Sequence, residues 1–329
     1  MDRKIDVTIV SPVFNEEENI VPFTQSVINV MNDAGWSWEL ILVDDGSTDG
    51  TEKNLKDCLK LNTNVRTLTL SKNFGQTPAI QAGFDRSKSK YLITLDSDLQ
   101  NDPKDIPRLL NKLIDEELDL VVGWRKDRKD NYLLRNFPSQ VANKIIGAIT
   151  KVKLNDYGCS LKAYRSEILN EVKLFGEMHR FIPAWMATKI PPHKISQLEV
   201  QHHARVAGIS KYGISRTFRV FVDLISVYFF MRFFSRPGHF FGLIGLVLST
   251  IGALMLIHLF IMKLFYGMDI GDRPLLIAGT LLVVVGVQFI SLGVIGEILS
   301  RTYFAASKEK SYFIRKDSSD HSAEKDIQQ

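Results

Sequence analysis

The chain has 329 residues, of which 45% are hydrophobic and 24% charged, room for roughly two domains with a full core, so disorder is excluded as the default state. Its 41 basic and 37 acidic residues leave a formal charge of +4, too small a surplus to argue for nucleic acid without a local basic patch. Two cysteines, Cys58 and Cys159, make neither a disulfide framework nor a cysteine-rich zinc site.

The first apolar run is broken by Ser11 and Pro12 and followed by Glu16, Glu17 and Glu18, a pattern unlike a secretory signal. In chain order, β-branched runs at 7–10, 40–43, 65–70, 91–95 and 118–122 predict strands. Amphipathic stretches opening at Asn19, Thr48, Gln76 and Pro103 predict the helices between them. Such alternation predicts an α/β fold with a parallel sheet covered on both faces, whose ligands bind at the carboxyl ends of the strands.

Near residue 212 the composition changes. Arg216, Arg219, Asp223 and Ser226 recur at helical spacing among Phe218, Val220, Phe221 and Leu224, describing either a helix in the plane of a membrane interface or one that packs against a domain. Residues 239–262 and 274–296 contain no Asp, Glu, Lys or Arg, and both runs exceed the roughly 20 residues a helix needs to cross a bilayer. Buried core helices are the alternative, but two such runs so close together are hard to hide in a soluble domain. Between them lie only Lys263 and Arg273 as basic residues. Arg216, Arg219, Arg232 and Arg236 precede the first run, and Arg301, Lys308, Lys310, Arg315 and Lys316 follow the second, a bias that places both termini in the cytoplasm. The tail from Lys316 is polar and reads as disordered.

The chemistry sits at the strand ends. Asp96 and Asp98, one residue apart, point the same way if the strand's alternation continues, and a divalent cation is the natural reason to pair them. Oxygen ligands suit Mg²⁺ or Mn²⁺, with Gln100 as a further neutral oxygen. The segments 11–16 (SPVFNE) and 43–50 (VDDGSTDG) add two more acidic edges. Their mutual repulsion calls for a cation or for donor groups on a ligand. A nucleotide's base and ribose offer donors to Asp45 and Glu16, and its diphosphate offers charge to a metal at Asp98. Asp44 has a plainer reading as turn chemistry, and Thr48 or Asp49 as a helix cap.

The segments PVFNEEENI, LILVDDGSTDGT, KNFGQTPAIQAG and ITLDSDLQNDP, in this order, resemble family-2 glycosyltransferases of the GT-A fold. Within that family they are similar to the dolichol-phosphate mannose synthase-like and bacterial polyisoprenyl-phosphate glycosyltransferase branch. No G-x-G-x-x-G follows the first strand, against a dinucleotide-binding enzyme. The resemblance spans about residues 5 to 212, and the two apolar runs are similar to the membrane anchor of bacterial members. It implies a cytoplasmic GT-A (Rossmann-like) catalytic domain at 1–212, an interfacial juxtamembrane helix at 213–237, two transmembrane helices with a short external loop at 238–300, and a cytoplasmic segment with a disordered tail at 301–329.

The resemblance also implies roles. Pro12, Phe14, Glu16 and Asp45 line the nucleotide pocket, Lys72, Asn73 and Gln76 lie beside the base, and Asp96 and Ser97 approach the ribose and diphosphate. Asp98 and Gln100 hold the metal together with Asp96. Arg125, in a G-x-R segment, faces the donor's diphosphate or sugar unless it is a solvated loop charge. Asp156 falls where inverting relatives place a candidate general base. A phosphate monoester, with a second pKa near about 6, is already largely a dianion at neutral pH, so with such an acceptor Asp156 orients a substrate instead. Arg135, Arg205 and Lys211 are the candidates for the acceptor phosphate, with Arg205 and Lys211 in a loop, RVAGISKYG, similar to one that closes over the site. Attraction to anionic headgroups is the alternative for those two. His202 and His203 read as ordinary packing or loop residues, and His258 lies within an apolar run without an assigned role.

The expected activity is metal-dependent, inverting transfer of a hexose, first of all glucose from UDP-glucose, to polyisoprenyl (undecaprenyl) phosphate at the cytoplasmic membrane face. GDP-mannose or a modified UDP-pentose is the alternative donor. A processive polysaccharide synthase predicts a Q-x-x-R-W motif and further spans, which are absent from the sequence, and an inactive scaffold or lipid-binding protein predicts loss of acids that are present. Gly242, Gly245, Gly252, Gly286 and Gly293 allow close helix approach, so a homo-oligomer is expected, with a tetramer among the allowed arrangements and the segment 312–314 adding a strand to a neighbour.

Overall fold

The computed structural model describes residues 5–126, 146–147, 151–169, 178–187, 189–203, 229, 233 and 236–306. Arg135, Arg205, Lys211, nearly all of the interfacial segment 213–237 and the tail beyond 306 lie outside the described residues. Two compact units are present, one within residues 1–225 and the other within 226–311.

The first unit is a seven-stranded sheet with helices. Its strands are β1 (Val7–Val13), β2 (Trp38–Asp44), β3 (Val65–Thr69), β4 (Tyr91–Thr94), β5 (Leu120–Trp124), β6 (Lys162–Arg165) and β7 (Ile195–Glu199), in the order β3-β2-β1-β4-β6-β5-β7. Helices α1 (Ile20–Asp33), α2 (Thr51–Leu61), α3 (Gln76–Arg86) and α4 (Asp105–Asp115) follow the first strands in turn, with short helices α5 (Ser166–Leu169) and α6 (Ile182–Met186) later. The expected parallel pairing holds for β3-β2-β1-β4 and for β5-β7. It fails at β6, which runs antiparallel to both β4 and β5 and makes the sheet mixed.

Periodicity explains the layers. On α1, Ile20, Phe23, Thr24, Val27, Ile28 and Met31 recur at three- and four-residue steps and are buried, the stripe a helix lays on a sheet. On α4 the buried set is Ile106, Leu109, Leu110 and Leu113. All seven residues of β2 are buried, as for a strand covered on both faces. Each fully buried Leu or Ile contributes on the order of 1.5–3 kcal/mol relative to exposure, which holds the strand ends in register for the polar loops they carry.

The second unit is a hairpin of α7 (Pro237–Tyr266) and α8 (Pro274–Ala306). The two charge-free runs lie inside these helices, in each of which an 18-residue window reaches a mean hydropathy of 2.4. Thirty residues at 1.5 Å each give about 45 Å, more than the roughly 30 Å hydrocarbon core, so each helix is long and apolar enough to cross a membrane. Gly267, with positive φ, caps α7 as its N–H bonds back to the Lys263 carbonyl. Of the glycines read as permitting close helix approach, Gly245, Gly252, Gly286 and Gly293 serve an approach within the chain, and Gly242 faces open space. A Cβ on Gly245 would lie 2.5 Å from the Gly286 carbonyl, and one on Gly252 2.7 Å from that of Gly279.

Candidate active site

Because β2, β1 and β4 are neighbours, their carboxyl ends set three acidic loops side by side. After β1 the chain turns at Asn15, whose positive φ of 53° asparagine tolerates better than most residues. Its N–H donates to Ser47 Oγ (2.9 Å) and its side-chain oxygen accepts from the Thr48 N–H (2.8 Å), joining the first two loops. Asp44 does the turn chemistry, accepting from the Ser47 N–H (3.0 Å) and hydroxyl (2.6 Å), and Asp49 accepts from the N–H of Thr51 where α2 begins. Gly46 is demanded twice over. It has a φ of 69°, and a Cβ there would lie 2.5 Å from the Lys72 carbonyl carbon, so only glycine lets the loop of residues 71–75 approach. Asp45 then pins that loop, its two oxygens accepting from the N–H groups of Phe74 (2.7 Å) and Gly75 (2.8 Å).

At the end of β4, Asp96 accepts from Gln76 Nε2 (2.8 Å), Ser97 donates to the Pro12 carbonyl (3.2 Å), and Asp98 accepts from the Gln100 N–H (3.2 Å). Leu99 between them has a φ of 59°, a left-handed conformation that costs a non-glycine residue about 1–3 kcal/mol. These groups surround a cavity of about 230 Å³. Of the residues the sequence assigns to the donor, Pro12, Phe14, Glu16, Asp45, Gln76, Asp96 and Ser97 line it, and Asp98 joins them. Asn73, Val13 and Gly75 complete the lining, the last two unanticipated. Lys72 does not line it. This side chain is exposed, with Nζ 5.1 Å from the centre of the Phe74 ring. Gln100 does not line it either; its backbone N–H donates to Asp98.

Behind the cavity, burial and the nearby Asp98 charge push the Asp96 carboxyl up to about 6, against the pull of the Ser160 hydroxyl, Lys162 and Arg125. Lys162 was not foreseen. It stands on β6 opposite Thr94 and Val122, is 2% exposed, and is pushed down to about 8 by burial although Cys159, Asp96 and Asp156 favour its charge. Arg125 is not a solvated loop charge: its Nε and Nη2 grip Asp156 at 2.7 and 3.1 Å, and both side chains are largely buried. Thr94 holds the same segment by donating to the Ser160 carbonyl (2.7 Å), and Asn101 by donating to the Ser160 hydroxyl (2.8 Å). His202 bridges Asn101 as an isolated β-pair, and the exposed His203 lies 3.4 Å from Asp102.

The residues fit a divalent cation of a particular kind. Among the described residues no group of three or more His, Cys, Asp or Glu side chains could cage a metal. Two carboxylates on one cavity, close enough that the Asp98 charge helps raise the Asp96 carboxyl, instead leave most of a coordination shell to substrate phosphates and water, as Mg²⁺-type sites commonly do.

A Rossmann-like sheet with one antiparallel insert and an acid-lined cavity at the β1, β2 and β4 ends defines a glycosyltransferase of the GT-A fold. Residues 8–173 match the model of glycosyl transferase family 2, and the chain belongs to that family. It is 50% identical over 314 residues, 95% of this chain and 93% of the relative, to a dodecaprenyl-phosphate galacturonate synthase of Rhizobium johnstonii. It is 34% identical, over 94% of this chain and 89% of the relative, to an undecaprenyl-phosphate 4-deoxy-4-formamido-L-arabinose transferase of Pseudomonas fluorescens. Among solved structures, glucosyl-3-phosphoglycerate synthase of Mycobacterium tuberculosis, in complex with Mn²⁺, uridine diphosphate and glucosyl-3-phosphoglycerate, superimposes with a TM-score of 0.52 at 18% identity, over 69% of this chain and 80% of that one, a likeness of fold.

Proposed function

We propose that this chain is a membrane-anchored, inverting glycosyltransferase that moves galacturonate from a nucleoside diphosphate to a polyprenyl phosphate at the cytoplasmic face. The observation that carries the reading is the cavity in which Glu16, Asp45, Asp96 and Asp98 converge, since so many acids suit a ligand with many donors and a cation. Asp98 with Asp96 would hold Mg²⁺ or Mn²⁺, which supplies charge stabilisation for a departing diphosphate. Asp45 and Glu16 accept from the base and ribose. The bidentate grip of Arg125 on Asp156 suits that carboxylate to a positioning role. The acceptor needs no base, because a phosphate dianion is itself the nucleophile. It attacks the anomeric carbon opposite the leaving diphosphate, so an α-linked donor gives a β-linked product. Arg135, Arg205 and Lys211 serve the acceptor phosphate in this reading.

The sequence alone favours glucose. Fifty per cent identity over nearly the whole length favours the sugar in the Rhizobium relative's name, and the formamido-arabinose of the other relatives stands second. The test incubates purified protein with Mn²⁺, polyprenyl phosphate and each labelled nucleotide sugar in turn, followed by chromatography of the lipid fraction. Labelled lipid from the galacturonate donor is expected. Label from glucose alone would restore the first expectation, and no labelled lipid with any donor would overturn the reading.

A further inference from the structure

After β7 the chain crosses the loop that carries Asp98. The Val200 N–H donates to the Trp124 carbonyl (3.1 Å), the Gln201 N–H to Asp105 Oδ2 (2.7 Å) and the His203 N–H to the Gln100 carbonyl (2.8 Å), while His202 pairs with Asn101 as a bridge. Two of these three hydrogen bonds run from backbone to backbone. The one from Gln201 depends on a side chain.

That side chain has no part in the chemistry described so far. Asp105 opens α4 and is 2% exposed, and a buried carboxylate is costly unless it is paired. In the first turn of a helix, a carboxylate commonly serves the helix's own N–H groups or its dipole. Here one oxygen goes to the guanidinium of Arg108, and the other to a backbone N–H 96 positions away in the chain. Its charge therefore secures a chain crossing.

The consequence falls on Gln100. Its N–H is given to Asp98 (3.2 Å) and its carbonyl is held by His203, while the preceding Leu99 keeps a φ of 59° that leucine seldom adopts. Such a conformation persists only where the surroundings over-determine it. Residues 200–203 supply that constraint at the turn that aims the Asp98 carboxylate.

We infer that Asp105 is a positioning residue: by anchoring residues 200–203 across the loop, it sets the Asp98 carboxylate for a divalent cation. The inference rests on the cation role proposed for Asp98 above and adds the group that holds that carboxylate in place.

Asp105→Ala removes the anchor, and Asp105→Asn keeps an oxygen for the Gln201 N–H while giving up the charge on Arg108. Gln201→Pro, at an exposed position, deletes the N–H itself and leaves Asp105 to Arg108. Electron paramagnetic resonance of free Mn²⁺, titrated with detergent-solubilised full-length protein and uridine diphosphate, reads cation affinity without turnover. Asp105→Ala and Gln201→Pro should each lose about tenfold in Mn²⁺ affinity, as residues that orient metal ligands typically do, and Asp105→Asn about twofold at most. Affinity for uridine diphosphate in EDTA should stay at the wild-type value in all three, whereas a general loosening of the fold would lower it.

Wild-type Mn²⁺ affinity in Asp105→Ala or in Gln201→Pro would overturn the proposal. So would equal losses in Asp105→Ala and Asp105→Asn, or a matching loss of metal-free nucleotide binding. A wild type that binds no Mn²⁺ would overturn both this inference and the cation role of Asp98. The expected Mn²⁺ losses in a protein that transfers no sugar would sink the proposed function and leave the anchor standing.

Discussion

The acid-lined cavity and the α7–α8 hairpin are built on opposite terms. Around the cavity, charges that burial penalises are kept because each has a partner: Asp45 on the Phe74 and Gly75 amides, Asp96 on Gln76, Asp156 on Arg125. In the hairpin, over twenty residues of each helix carry no charge, and the shape comes from missing side chains, with Gly245 and Gly286 letting two backbones meet. One region converts electrostatic cost into chemistry, the other converts absent side chains into close packing. Substitutions in the first should therefore read out in turnover, and in the second in stability.

Asp98→Asn tests the contrast most severely. With Asp98 holding the cation as proposed, its loss should remove several kcal/mol of transition-state stabilisation, on the order of a thousandfold in kcat, with the circular dichroism spectrum unchanged. A wild-type-like rate would take the cation away from this site. Next in size is the pH dependence. With its carboxyl near 6, Asp96 is protonated below that pH and no longer attracts a cation, so apparent affinity for Mn²⁺ should fall about tenfold per pH unit on acidification through 6. Lys162→Met removes the buried countercharge and should move that midpoint upward by about one unit, with Lys162→Arg moving it back. An unmoved midpoint in Lys162→Met would reduce Lys162 to a packing residue.

A smaller effect is expected at Asp156. As a positioning group, Asp156→Asn should cost about tenfold in kcat, short of the roughly 10²–10⁴-fold of a lost general base, and should leave the pH profile unshifted. Gly286→Leu should alter turnover least. Its Cβ collides with Ser249 and the Gly245 carbonyl, an overpacking that costs about 1–3 kcal/mol and lowers the melting temperature in detergent by several degrees. An unchanged melting temperature would mean that the helices are not packed through this contact.

Much of the first region was legible because its signals are local. Runs such as Leu40–Val43 alternate with amphipathic stretches, and the acids that follow them fall at neighbouring strand ends once β2, β1 and β4 are side by side. What was missed depends on tertiary placement. Strand β6 reads KAYR, four residues with a cation at each end, and β7 reads ISQLE, three of its five residues polar, so neither shows a strand period. Lys162 looks like a surface lysine in sequence, and insertion between β4 and β5 buries it. Gln100 also gives its backbone N–H to Asp98, a contact its side-chain type does not announce. In the hairpin, composition disclosed helices long enough to span a bilayer, but glycine spacing could not say whether the close approach it permits lies within a chain or between copies.

The central claim is that the paired acids at the end of β4 serve transfer of a sugar to a lipid phosphate. Its most direct test is the mass spectrum of the lipid fraction after incubation of wild type and Asp98→Asn, side by side, with Mn²⁺, nucleotide-linked galacturonate and polyprenyl phosphate. The account predicts a galacturonosyl phospholipid from wild type and none above background from Asp98→Asn. The same product in equal yield from both proteins would contradict it.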